Sequence, residues 1–266
     1  MILRYLKNWI RGTKALLQLM QWRTVHRYLQ AGMAPEVVDT TSVRPSQKVL
    51  VLAAHPGDDI FGCGGALVYH AEHGDQIQVI YLTDGSRSTP SGSRDRSLIE
   101  QREHEAEEGL RLAGEIETVF WQFEDGAFEV NMTTAGLLKG VLENFAPDII
   151  YAPWYADEHP DNQQVVPLLH QVLPELKEPF LGTVWQYEIG TPSIPNRYVI
   201  ITDVLEKKIR AMDAHQSLVR IKDIRDGILG LNTYRGAYAR LSGPAEAFLA
   251  LPTHEFMDFC QRMIKE

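Results

Sequence analysis

His55 and Asp58 stand three residues apart in the run His55-Pro56-Gly57-Asp58-Asp59, directly after the apolar stretch 48–54. At that spacing an imidazole nitrogen and a carboxylate oxygen can meet on one metal ion. A turn that only caps the following helix would use the same residue types, so this run alone leaves both readings open. A second cluster, Tyr155-Ala156-Asp157-Glu158-His159-Pro160-Asp161-Asn162, follows another apolar run that ends near Trp154. Two His/Asp-rich loops behind two buried strands argue for a shared site more strongly than either loop does singly. Gly62, Gly64 and Gly65 let a helix begin close to the first strand and present its amides. Their spacing is not G-x-G-x-x-G, which counts against a nucleotide-binding turn. His104, His170 and His215 fall inside helical patterns and receive no role.

These loops need a scaffold. Apolar runs at 48–54, 77–82, 118–122, 148–153, 183–189 and 198–202 read as strands, several of them buried on both faces. Helical patterns at about 63–73, 97–113, 133–145 and 163–173 lie between them. The alternation predicts a three-layer α/β fold with a mostly parallel sheet, and sites in such sheets lie at the carboxyl ends of the strands. Residues 86–95, rich in Ser, Arg, Gly and Pro, read as a loop over the same edge. Beyond about 204 helices dominate the pattern, at 204–219 and 254–265, with 220–229 a further candidate.

The chain of 266 residues is long enough for one large core, and its two cysteines, Cys63 and Cys260, form no disulfide framework. That usage fits a reducing compartment and predicts a cytoplasmic location. The net charge of −9 is unevenly spread. Residues 1–35 carry six basic side chains and no acid, leaving 20 basic against 35 acidic residues in the rest. An acidic body predicts no nucleic-acid partner. Within residues 1–30, Ile2, Leu6, Trp9, Ile10, Leu16, Leu17, Met20 and Trp22 recur at roughly helical spacing between the basic residues. Residues 1–45 are therefore expected to be a basic helical extension, either resting on an anionic membrane surface or packed on the domain or on a second subunit, with 46–266 forming the α/β domain.

The two loops resemble the motifs of the PIG-L/LmbE-like N-deacetylases, which read H-P-D-D-E followed by G-C-G-G, and H-P-D-H. Thr83-Asp84-Gly85, Arg102-Glu103-His104-Glu105, Asp125-Gly126, Tyr187-Glu188-Ile189, Pro195-Asn196-Arg197-Tyr198 and His215-Gln216-Ser217 extend the likeness in unbroken order over roughly 47–250. The resemblance implies a Rossmann-like fold and a zinc-dependent hydrolase acting on an N-acetylglucosamine-like sugar, lipid- or polymer-linked in view of the N-terminal segment. Carried over, it makes His55, Asp58 and Asn162 the metal positions and gives His159 and Asp58 catalytic roles. Arg102, Asp84 and Asp59 become the candidate substrate contacts.

Two positions depart from the pattern. Gly57 stands where the resemblance places the general base, and Asn162 where it places a third ligand histidine. The interval from His55 to Gly62 matches the family motif, so no slip of alignment restores them. Loss of a general base typically lowers a rate about 10²–10⁴-fold. His159 could move onto the metal, Glu158 or Asp59 could serve as base, or a harder metal could occupy the site. A member that binds a sugar or a protein partner without turnover is the alternative.

Overall fold

The structure, a computed structural model, describes residues 36–38, 46–87, 94–219 and 224–264. Its strands are β1 (Glu36–Val38), β2 (Lys48–Ala53), β3 (Gln76–Thr83), β4 (Glu117–Phe123), β5 (Ile149–Pro153), β6 (Thr183–Tyr187), β7 (Arg197–Ile200) and β8 (Ala245–Pro252). The helices are α1 (Asp58–Glu72), α2 (Arg96–Ala113), α3 (Met132–Phe145), α4 (Pro160–Val172), α5 (Leu205–Ala214), α6 (Gln216–Val219), α7 (Ile224–Tyr238) and α8 (Thr253–Ile264).

The strands form one mixed sheet in the order β1-β7-β8-β6-β5-β2-β3-β4. Strand β2 shows why this is a three-layer fold. Val49, Val51 and Ala53 point into one core, while Leu50 and Leu52 point into the other. A strand covered on both sides must be apolar at every position, which explains the unbroken run in the sequence. Leu67, Ala106, Leu110, Ala211 and Met212 of α1, α2 and α5 fill the first core. Leu138, Leu142, Val165, Leu169 and Phe256 of α3, α4 and α8 fill the second.

Strand β2 pairs in parallel with both β3 and β5. From β2 the chain proceeds outward through β3 to β4, and from β5 it proceeds the opposite way to β6. The order therefore reverses between β2 and β5, which opens a crevice at their carboxyl ends. His55 follows one of these strands and His159 the other.

Two regions differ from the sequence expectation. Residues 245–252, to which the sequence pattern assigned no element, form β8, antiparallel to both β6 and β7. Their alanines have low strand propensity, and the sheet position overrides it: Phe248, Leu249 and Leu251 are wholly buried. Glu36–Val38, expected within the helical extension, instead pairs in parallel with Arg197–Val199. The amphipathic reading of residues 1–30 lies outside the described residues. Among those described, no helix is long and apolar enough to cross a membrane.

Candidate functional site

Three turns meet at the crevice. The first carries His55 from the end of β2 into α1, and Pro56 and Gly57 shape it. Gly57 has φ +107°, a backbone angle that side-chain-bearing residues avoid. The second turn leads from β5 into α4, where the His159 ring caps the helix by accepting the Asp161 amide at Nδ1, 3.3 Å away, and Pro160 occupies the first turn. Asp157 braces this turn by accepting the amides of His159, Gly190 and Thr191 and the side-chain amide of Asn162. The third turn follows β4 and brings in Asp125.

His55 is the centre of the cluster. Its Nε2 lies 3.2 Å from Asp161 Oδ2 and 3.3 Å from Asp125 Oδ1, while Nδ1 lies 3.1 Å from Asp58 Oδ2. Burial works against the charged imidazole, but the Asp58, Asp125 and Asp161 carboxylates outweigh it and hold its pKa well above the usual histidine value. Burial likewise opposes the charge on Asp125, yet the His55 contact and the Arg87 amide bring its pKa down to about 2. The His159 ring packs edge-on against His55, with centroids 4.3 Å apart. Burial, together with the charge on His55, lowers the pKa of His159. Its Nδ1 accepts a backbone amide, so the neutral ring carries its proton on Nε2.

His55, Asp125, His159 and Asp161 each offer a ligand atom within 4.8 Å of the others, a donor set suited to a divalent cation. Asp161 is nevertheless committed elsewhere: it is buried and accepts the amides of Gly126 at 2.7 Å and Phe128 at 3.2 Å. Both ring nitrogens of His55 face carboxylates and the raised pKa keeps each protonated, so a metal ion taking either nitrogen would displace its proton. Asn162 supplies an independent sign. Its Nδ2 donates to Asp157, while its Oδ1 is buried with no hydrogen-bond partner. An orphaned acceptor is costly to bury and fits a cation. The His55, Asp125, His159 and Asp161 cluster could thus hold a metal, and the unpartnered Asn162 Oδ1 belongs to a residue lining the same cavity.

A cavity of about 770 Å³ opens over this cluster, lined by His55, Asp58, Asp125, His159, Asn162 and Arg102 on its polar side. Arg102 is buried, donates Nη1 to the Gly85 carbonyl at 2.5 Å, and leaves Nε and Nη2 without partners. The other two expected sugar contacts are corrected to framework positions. Asp59 is wholly buried and does not line the cavity; Tyr81 donates to its Oδ2 at 2.9 Å, and burial raises its pKa to about 7. Asp84 is buried too, accepting the Ser86 and Asp125 amides and Nε of Arg94, so it ties together the loops beside the site.

The space beside Gly57 is taken. A Cβ placed there would meet Leu218 Cδ1 at 2.8 Å and His215 Nδ1 at 3.2 Å. Among the described residues, the three atoms nearest to that Cβ belong to Leu218 and His215 and include no carboxylate oxygen. Of the two substitute bases considered from the sequence, Asp59 is sealed away, whereas Glu158 is exposed and lines the cavity. Sequence reasoning assigned no role to Asp125 or Asp161, although Asp125-Gly126 at a strand end and the Asp of the second loop were both visible signals.

Residues 50–172 match the family model described as PIG-L: GlcNAc-PI de-N-acetylase, a span that holds both His/Asp loops. The chain carries a PIG-L family domain. The diacetylchitobiose deacetylase of Thermococcus kodakarensis is 25% identical over 186 residues, covering 64% of this chain and 70% of that protein. Among solved structures, the N,N'-diacetylchitobiose deacetylase from Pyrococcus horikoshii superposes with a TM-score of 0.68 at 24% identity, covering 78% of this chain and 84% of that one. The 4-carboxy-2-hydroxymuconate hydratase GalB from Pseudomonas putida KT2440 gives a TM-score of 0.67 at 19% identity, over 77% and 96%. A hydratase and a deacetylase share this fold, so the reaction of this PIG-L domain must be argued from its own site.

Proposed function

We propose that this PIG-L domain is a metal-dependent amide hydrolase of the N-deacetylase type, acting slowly on an N-acetylglucosamine-like sugar. The observation that carries the reading is the clasp on His55. Asp125 and Asp161 hold Nε2, so Nδ1 is turned toward Asp58 on the floor of an open cavity. Zinc or another divalent ion at His55, Asp58 and Asn162 would supply Lewis acidity to an amide carbonyl and to water. The protein's own groups would do the rest. His159, protonated on Nε2 and half-exposed, is placed to donate a hydrogen bond to a carbonyl oxygen as it gains charge. Arg102 lines the same cavity with two buried donors left unpaired. Glu158 is the exposed carboxylate available to accept a proton, at a less favourable position than one attached at Gly57 would have. An amide oxygen in place of an imidazole at Asn162 predicts weaker metal binding.

A second reading has its own support. Leu218 and His215 fill the place beside Gly57, which suits a protein that binds an amino sugar without turning it over. The test is elemental analysis of wild type and His55→Ala, followed by measurement of acetate release from N-acetylglucosamine glycosides. Bound metal lost in the variant, with slow metal-dependent acetate release, supports the hydrolase. Bound metal and sugar with no acetate released supports the binding protein. A wild type that takes up neither metal nor sugar refutes both.

A further inference from the structure

Residues 1–35 lie outside the described residues, but the sheet fixes where they join it. Glu36 pairs with Arg197, the first residue of β7. Arg197 faces Phe248 of β8, and the same Phe248 faces Tyr187, the last residue of β6. Tyr187 in turn pairs with Pro153 at the end of β5. Glu36 is therefore level with the carboxyl edge on which the His55 cluster stands. Four strand spacings separate β1 from β5, about 19 Å. Thirty residues wound as a helix would measure about 45 Å, so residues 1–30 are long enough to cross the cavity from this side.

Helix α7 lies on that route. It packs on β7 and β8, and Ala239 and Leu241, just past its end, pack on Tyr198, the partner of Val37 in β1. Its Ile224, Leu231 and Tyr234 line the cavity, and Tyr238 follows one turn further on. The rings of Tyr234 and Tyr238 stack with centroids 5.7 Å apart, yet they are 55% and 67% exposed. Met132, Leu137 and Leu181 are exposed elsewhere, whereas Tyr234 joins its exposed ring to the cavity wall. Apolar surface that runs on from a cavity marks a contact, which scattered single side chains do not. The face is also held in place from behind. Buried Arg235 donates Nε to Glu188 at 3.1 Å and Nη2 to the Ser193 carbonyl at 2.9 Å.

The segment itself has the matching composition. Leu6, Trp9, Ile10, Leu16, Leu17 and Trp22 recur at roughly helical spacing, so one side of such a helix is apolar. Its six basic side chains, with no acid among residues 1–35, oppose a remainder of 20 basic and 35 acidic residues. Glu158 at the cavity and Asp226 on α7 are exposed carboxylates on this side of the molecule. A tethered segment also meets its own domain at an effective concentration on the order of mM, so modest contacts suffice.

We propose that residues 1–30 dock on α7 of their own chain, laying their apolar side over Tyr234 and Tyr238 and shielding the apolar wall of the cavity. The contact is independent of the reaction performed at His55.

The test is hydroxyl-radical footprinting of the full chain, read by mass spectrometry, on wild type and Trp9→Asp/Ile10→Asp. Tyr234 and Tyr238 should label at least threefold more in the variant, while Met132, 91% exposed on α3, labels equally in both. Leu16→Asp/Leu17→Asp repeats the test should the first variant precipitate. The contact must also show from the other side: Tyr234→Ser/Tyr238→Ser should speed amide exchange within residues 1–30 at least tenfold. Unchanged tyrosine labelling, or unchanged exchange, overturns the docking. Unchanged labelling in a wild type that sediments with phosphatidylcholine–phosphatidylserine vesicles, and a variant that does not, assigns the apolar side to a membrane instead. Protection that fades on dilution, with a dimer seen by light scattering, assigns the segment to a second copy and overturns docking within one chain.

Discussion

Introducing a side chain at Gly57 should destabilise the fold before it affects any chemistry. The φ of +107° lies where an L-residue is strained, at a cost of about 1–3 kcal/mol. The new Cβ would also press on Leu218 Cδ1 at 2.8 Å and His215 Nδ1 at 3.2 Å. The leucine methyl is a side-chain tip and can yield, whereas buried His215 has less room, so crowding adds about 1 kcal/mol. Gly57→Ala should therefore lose about 2–4 kcal/mol, read as a lowered urea midpoint at unchanged slope. Repeating the substitution in a Leu218→Ala background isolates the leucine's share: the cost should fall by less than about 1 kcal/mol, leaving the backbone part and the His215 contact. Gly57→Asp, which places a carboxylate where the family carries its base, should be at least as unstable and recover little activity. An alanine variant within 0.5 kcal/mol of wild type, or an aspartate variant that folds normally and gains on the order of 10²-fold in rate, would refute this account of the occluded position.

Three other perturbations follow from the same contacts. His215 is buried with Nε2 unpaired, and burial lowers its pKa to about 4. Between about pH 6.5 and 4 the unfolded chain therefore binds a proton that the folded chain refuses. Stability should fall with acidification across that window by up to about 3 kcal/mol. His215→Phe should flatten that part of the pH profile, and an unaltered slope would show that another group is responsible. Buried Glu246 accepts the amides of Gly65 and Ala66 and pairs with Lys208 at 2.7 Å. Glu246→Ala should cost about 3–5 kcal/mol by stranding the lysine, and Glu246→Leu/Lys208→Met less; chemical denaturation of both decides. Asp161→Asn should weaken divalent-metal affinity about 10–100-fold in a chelator competition, and an unchanged affinity would remove Asp161 from the orientation of His55.

Much of this protein was legible because its signals are local. A strand covered on both faces must be apolar at each position, so β2, β3 and β5 announce themselves, and with them the carboxyl edge where His55 and His159 emerge. Spacing brings His55 and Asp58 forward as candidates, and the family resemblance adds His159 and Asn162. What escaped depends on contacts between distant residues. Asp161 reaches His55 from 106 positions away, and no local pattern distinguishes an aspartate that clasps a histidine from one that caps a helix. Strand β8 is alanine-rich and gave no strand signal in the sequence; its place between β6 and β7 makes it one. Asp59 and Asp84 look like ligand contacts in sequence, and only burial shows them holding the loops instead. The neighbours of Gly57 come from residues 215–218 and the apolar cavity wall from α7, segments that only the packing of α5, α6 and α7 brings to the site. Periodicity reports which face of an element is buried, whereas the partner it is buried against is decided by long-range packing.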